Sequence, residues 1–248
     1  MRYCIVAGPR SGSTWLEFVV LGNLEYKGVN PRRLGEFFHP YVAKNEQFVL
    51  TGNNQIVPGK QERMSDQELV NDRMSMIVNG DHSQSLTMRL FPQDYFFNFI
   101  DYLELVKNLE ACNFKFISLH RDVFSRALSW AVMDQTSIVH LFKENGNQYH
   151  TTFQGKQNKT KIEPFTICPK NFTRILLMAV RDDISRRMIS DIVETIELRY
   201  DNISNDIKQL GFVMKNAHIF PVHELPYSKL ITNYDQLLDL YQKFKNTK

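Results

Sequence analysis

Short unbroken apolar runs alternate along this chain with stretches whose apolar residues recur at helical spacing. Residues 2–7 read as a buried strand and residues 13–24 as a helix, with Trp15, Phe18, Val19 and Gly22 on or near its packed side. Between 26 and 59 the pattern is irregular, broken by Pro31, Pro40 and Pro58, with an apolar QFVLTG segment that fits either a short strand or a loop. Ser65 followed by Glu68 makes a capping box, and Leu69, Met74, Ile77 and Val78 carry a helix on to about residue 79. A strand at 85–91, an aromatic amphipathic helix at 94–109 and a second apolar strand at 114–119 follow. That strand runs straight into His120, Arg121 and Asp122, and a helix resumes at 123–133.

Residues 134–170 are polar with little periodicity and read as a mobile surface excursion. A long helix at 172–192 carries Arg174, Arg181, Arg186 and Arg187; a strand at 195–200 and helices at 205–210 and 235–244 complete the chain. Strands alternating with helices predict an α/β fold, a P-loop-NTPase-like parallel sheet with helices on both faces. The expectation is one domain over 1–248, with irregular substrate-side segments at 26–64 and 134–170.

Composition narrows the function classes. A net charge of +3 and a pI near 8.6 suit an anionic ligand but fall short of the dense basic stripe of a nucleic-acid binder. Cys4, Cys112 and Cys168 are far apart and odd in number, without a CxxC pair or a His/Cys cluster at metal-ligand spacing, so neither a disulfide framework nor a zinc site is expected. The first apolar run is too short for a secretion signal, and no run approaches the roughly 20 residues that span a bilayer. The expected location is therefore cytoplasmic, and the N-x-S/T triplets at Asn158, Asn171 and Asn202 are chance matches.

The candidate chemistry begins at CIVAGPRSGSTWLE, residues 4–17, where an apolar run enters a turn of small residues and then a helix. A helix start offers unpaired backbone N–H groups and about half a positive charge, and small residues let an anion approach both. Gly8, Ser11, Gly12, Ser13 and Thr14 supply them. A nucleotide triphosphatase loop follows G-x-x-x-x-G-K-[ST]. Here one residue fewer separates the glycines, Ser13 stands where lysine would, and the cation is moved forward to Arg10. By itself the segment fits an ordinary glycine turn equally well. The second element is FISLHRDVFSRALSW, which places Arg121 at a strand end and Ser129 eight positions later on the next helix.

The loop PRSGSTW followed by this strand, arginine and serine resembles the sulfotransferases that use 3′-phosphoadenosine 5′-phosphosulfate. The resemblance implies that Arg10, Ser11, Gly12, Ser13, Thr14 and Trp15 hold the 5′-phosphosulfate and that Arg121 and Ser129 hold the 3′-phosphate. IELRYDNISNDIKQLGF looks like a later segment of the same family, which implies that Tyr200 lies near the adenine, although a tyrosine in an apolar strand is as often plain core. The likeness spans about residues 2–135 and 194–212. It implies an enzyme that passes a sulfuryl group to a hydroxyl, leaves 3′-phosphoadenosine 5′-phosphate as product and requires no metal.

A hydroxyl acceptor must lose a proton as it attacks, so a general base is needed. Family members that act on phenols and steroids carry a histidine in a Thr-His-Leu-Pro context, whereas TMRLFP here has Arg89 and no histidine. GVNPRRLGEFFHP is similar instead to a Glu-Phe-Phe segment of bacterial trehalose-type sulfotransferases, which implies that Glu36 is the base and that the acceptor is a carbohydrate or glycolipid. A solvated acid in a proline-bordered loop is the competing reading of Glu36. Glu17 and His82 are reserves, Glu17 reading more readily as a surface group or a partner of the helix dipole and His82 as a turn residue. His39 is placed to line an acceptor pocket, and Lys229 is the nearest candidate for a C-terminal phosphate contact, with an exposed lysine the favoured reading. Two other classes compete with the sulfotransferase: a P-loop small-molecule kinase, which the missing lysine disfavours, and a non-catalytic nucleotide-binding protein.

Overall fold

The computed structural model describes residues 1–38, 66–81, 83–91, 99–136, 138–144, 147–152, 157–158, 163–213 and 227–246. The QFVLTG segment, His39 and His82 lie outside the described residues. The chain divides into two compact units, Met1–His120 with Asp182–Asn216, and Arg121–Arg181 with Ala217–Lys248.

The first unit is built on a five-stranded parallel sheet flanked by helices. Its strands are β1 (Arg2–Val6), β2 (Arg32–Gly35), β3 (Leu86–Leu90), β4 (Phe114–His120) and β8 (Thr195–Arg199), in the order β2-β3-β1-β4-β8. All five residues of β1 are buried. Successive strand side chains point to opposite faces, so both faces are covered at the centre of the sheet, and apolar residues are needed on both. Helix α1 (Ser13–Tyr26) packs over β1, β2 and β3, α3 (Phe99–Ala111) over β4, and α6 (Ile203–Gln209) over β8. The capping-box helix is α2 (Asp66–Val78). None of the described helices is long and apolar enough to cross a membrane.

Parallel strands bring their C-terminal ends to one edge of the sheet. The chain leaves β1 toward β2 and β3 on one side and returns through β4 and β8 on the other, making the C-terminal end of β1 the place where the strand order switches, a crevice position in folds of this class. The glycine loop leaves the sheet there.

Strand β2 falls where the pattern is irregular. Its residues RRLG carry no apolar alternation; the strand exists because it borrows the backbone edge of β3, the Arg32 N–H donating to the Ser85 carbonyl at 2.8 Å. Charged side chains on an edge strand also discourage pairing with another chain. Strand β8 stops at Arg199, and Tyr200 opens a single 3-10 turn, Tyr200–Asn202, before α6.

The second unit holds α4 (Val123–Thr136), the first part of α5 (Pro169–Ser190), α7 (Tyr227–Leu230) and α8 (Tyr234–Asn246). Asp122 caps α4, its Oδ1 accepting from the Ser125 N–H at 2.9 Å and the Ser125 hydroxyl at 3.0 Å. Phe124 centres an apolar cluster, edge-on to Phe172 and Tyr234 at 5.8 Å and stacked on Tyr241 at 5.1 Å. The polar stretch expected to be a surface excursion instead contains a three-stranded antiparallel sheet, β5 (Ile138–Glu144), β6 (Asn147–Thr152) and β7 (Gln157–Asn158). Glu144 pairs with Asn147, and in the sequence Asn145-Gly146 stands between them. That dipeptide is a strong hairpin signal in spite of the polar flanks.

A polar network ties α5 to the sheet within the first unit. The buried Arg186 reaches Ser118 Oγ at 2.5 Å, Glu197 Oε2 at 2.9 Å and Asp183 Oδ1 at 3.4 Å. Burial by itself would raise the Glu197 carboxyl, but hydrogen bonds from Ser190 and Ser118, the Arg186 charge and the Thr195 hydroxyl together hold it below its ordinary value of 4.5. A depressed carboxyl stabilises the fold above its unfolded value, and that contribution is lost as pH falls through the lower folded value. Thermal unfolding should therefore show wild type more stable than Glu197→Gln near neutral pH, the gap closing as pH falls below the ordinary carboxylate value of 4.5. A gap independent of pH would refute the linkage.

Candidate functional site

The loop between β1 and α1 is held in a conformation that the sequence supports only locally. Arg10 and Gly12 both have left-handed backbone, φ 65 and 89, the former uncommon for a residue with a side chain. The Ser11 hydroxyl folds back onto the Gly8 carbonyl at 2.7 Å and is fully buried, closing the turn from inside. Gly12 is the N-cap of α1 and brings no capping side chain. The first-turn N–H groups of α1 have no partner within the helix, so the loop presents donors rather than using them.

Tyr200 closes the loop from the β8 side. A Cβ built on Gly12 would stand 2.5 Å from Cε2 and 2.8 Å from Cδ2 of the Tyr200 ring, so the ring lies directly on the Gly12 backbone. Two residues singled out from separate motifs are thus in contact. Trp15 is buried in α1, consistent with packing.

On the other side of the loop lies a cluster of charges. Glu17, on the first turns of α1, has no exposed surface; its Oε2 is 2.8 Å from Arg33 Nε and 3.1 Å from Arg89 Nε. Arg89 Nη1 is 3.0 Å from Glu36 Oε1 and donates to Thr14 Oγ1 at 2.6 Å. Gly35, with φ 61, turns the chain at the end of β2 and sends Glu36 toward this guanidinium. Arg33 lies over the Phe18 ring at 4.7 Å and Arg89 over Phe91 at 5.9 Å, which fixes the planes of both guanidiniums.

The reading of Glu17 as a surface or helix-dipole group is corrected by this geometry. A carboxylate removed from water needs close counter-charges, and Glu17 has two. Its influence extends to Cys4, whose thiol is pushed well up by burial first and by the Glu17 charge second, so Cys4 is no nucleophile. Arg89 and Arg33 were not marked as site residues by their motifs. The available signal was a charge inside an otherwise apolar run: Arg89 within LTMRL and Glu17 within TWLEFVVL, an opposite pair on two elements flanking one loop.

Arg121 and Ser129 belong to the second unit, Arg121 directly after β4 and Ser129 on α4, and both are buried. Asp122, next in the chain to Arg121, has its Oδ1 on the cap of α4. Lys229 is exposed on α7.

Gly12→Ala should destabilise the protein by about 1–3 kcal/mol from the backbone conformation, with a further loss from the Tyr200 ring. Combining it with Tyr200→Ala should recover the steric part alone, visible as a non-additive term in chemical denaturation; strict additivity would show that the ring and the glycine do not meet. No protein-family model and no curated protein sequence matches the chain, so what this loop holds must be argued from its own residues.

Proposed function

We propose that this protein is a sulfotransferase that moves a sulfuryl group from 3′-phosphoadenosine 5′-phosphosulfate to a hydroxyl of a carbohydrate or glycolipid. The observation that carries the reading is that Glu36 Oε1 and Thr14 Oγ1 meet at one nitrogen of Arg89. The segment nominated for the base and the loop nominated for the phosphosulfate come from different parts of the chain, and they share one guanidinium. A loop of small residues opening a helix at the switch point of a parallel sheet suits an anionic group, and the Tyr200 ring beside Gly12 adds a flat apolar wall suited to a nucleobase.

The chemistry asked of these residues is modest. Sulfuryl transfer in line needs the acceptor positioned, its proton removed and the negative charge on the departing phosphate oxygen stabilised. Arg10 and the first-turn N–H groups of α1 supply positive potential at that oxygen. Glu36, about one-third exposed, can receive a proton from an acceptor arriving from solvent while Arg89 keeps it in place. The resemblance would give the 3′-phosphate to Arg121 and Ser129, whose charge and hydroxyl suit it.

Thermal-shift measurement with 3′-phosphoadenosine 5′-phosphate should raise the melting temperature, and Arg121→Ala should remove most of that shift. Stronger stabilisation by ATP with magnesium would favour a kinase and end the proposal. Labelled sulfate should pass from the donor into a glycan panel with wild type, and Glu36→Gln should lower the rate by about 10²–10⁴-fold, the range of a general base. Full activity in Glu36→Gln would remove Glu36 from that role.

A further inference from the structure

Thr14, Glu36, Arg89, Glu17 and Arg33 form a chain of contacts in which a single side chain occupies the centre. We propose that Arg89 is the positioning residue of this site: through Nη1 it aims the Thr14 hydroxyl proton at the anion held by the loop and seats the Glu36 carboxylate beside it, with Glu17 as the buried counter-charge that keeps Arg89 in place.

Donor and acceptor inventory leads to this assignment. A guanidinium donates hydrogen bonds and accepts none, so at 2.6 Å the Thr14 oxygen must be the acceptor. Its own proton therefore points away from Arg89, and among the described residues no other hydrogen bond of that hydroxyl is formed. Thr14 is the second residue of α1, where the free backbone N–H groups of the first turn also point. The proton that Arg89 turns away from itself is thus available to whatever anion those N–H groups receive. Glu36 Oε1 lies 3.0 Å from the same Nη1 as an ion pair, so the carboxylate is held by charge beside the hydroxyl.

The remainder of Arg89 is fixed. Nε stands 3.1 Å from Glu17 Oε2, an ion pair without an aligned hydrogen bond, and Glu17 in turn is gripped by Arg33 at 2.8 Å. Glu17 has no exposed surface and Arg89 is 11% exposed, so neither can swing out to water without taking one of two counter-charges from the other. The planar fork of arginine serves two acceptors at set angles, which the single ammonium of lysine does not. Strand β3 sets the starting point, with Arg89 in parallel register with Ile5 on β1, just before the loop.

Two double-mutant cycles test the assignment. With pyrophosphate as probe, titration calorimetry on Thr14→Val, Arg89→Lys and the double variant should show about tenfold weaker binding in each, the double no weaker than either single, because lysine keeps the charge and each change removes the same directed proton. Losses that multiply, or a wild type that does not bind pyrophosphate, overturn the assignment whatever reaction the protein performs. The second cycle rests on the sulfotransferase reading. Arg89→Lys should lower kcat about 100-fold, leave KM for the phosphosulfate donor within about threefold and cost nothing more in a Glu36→Gln background. An unchanged kcat accompanied only by a lower melting temperature would make Arg89 purely structural and overturn the proposal. If the pyrophosphate cycle behaves as stated but wild type transfers no sulfate, the sulfotransferase reading alone fails.

Discussion

A carboxylate with no exposed surface is the constraint on which the candidate site depends. Glu17 sits in an otherwise apolar part of α1, and an ion removed from water persists only when opposite charges are brought to it in good geometry. Arg33 comes from β2 and Arg89 from β3. The helix after the loop and two neighbouring strands are therefore locked together at the C-terminal edge of the sheet by electrostatics in addition to backbone pairing. A shift of either strand would take one of two counter-charges from a carboxylate buried in low dielectric, and a shift of the helix would take both.

From that lock the rest of the site takes its shape. The Arg89 guanidinium that pairs with Glu17 also presents its outer nitrogen to Thr14 and Glu36, so the buried ion pair and the site geometry share one side chain. On the opposite side the loop is closed by Tyr200, and the left-handed backbone at Arg10 and Gly12 persists because Ser11 bonds inward and the ring lies against the glycine. Local strain of this kind survives only where surrounding contacts determine it from several directions. The sulfotransferase reading assigns anion binding to the loop and proton removal to Glu36, and it places both within reach of one fixed cation.

Much of the fold was legible because the apolar pattern and the final environment agree. The runs in β1, β3 and β4 are mostly apolar, as central strands of a covered sheet are, and α3, α5 and α8 announce themselves by helical spacing. Where this agreement lapses, the elements were not legible: β2 is a strand because a neighbour offers an open edge, and β5 and β6 are joined by an Asn-Gly step within a polar stretch whose periodicity is weak. Of the candidate site, the loop residues, Glu36 and Tyr200 could be named from motifs. The motifs mark Arg89 only as standing where a histidine would, and by position Glu17 reads as a surface group or a partner of the helix dipole.

The amino-acid sequence by itself determined the alternation of strand and helix, the small-residue loop at the end of the first strand and which polar and charged side chains stand at and near it. Those properties follow from side-chain size, polarity and spacing over a few residues. Only the tertiary structure decided the partners, because Glu17, Arg33, Glu36 and Arg89 are separated along the chain and meet solely through the pairing of β2 with β3 and the packing of α1 across them. A buried charge reads in sequence like an exposed one; its surroundings, fixed by distant segments, make it the centre of a site.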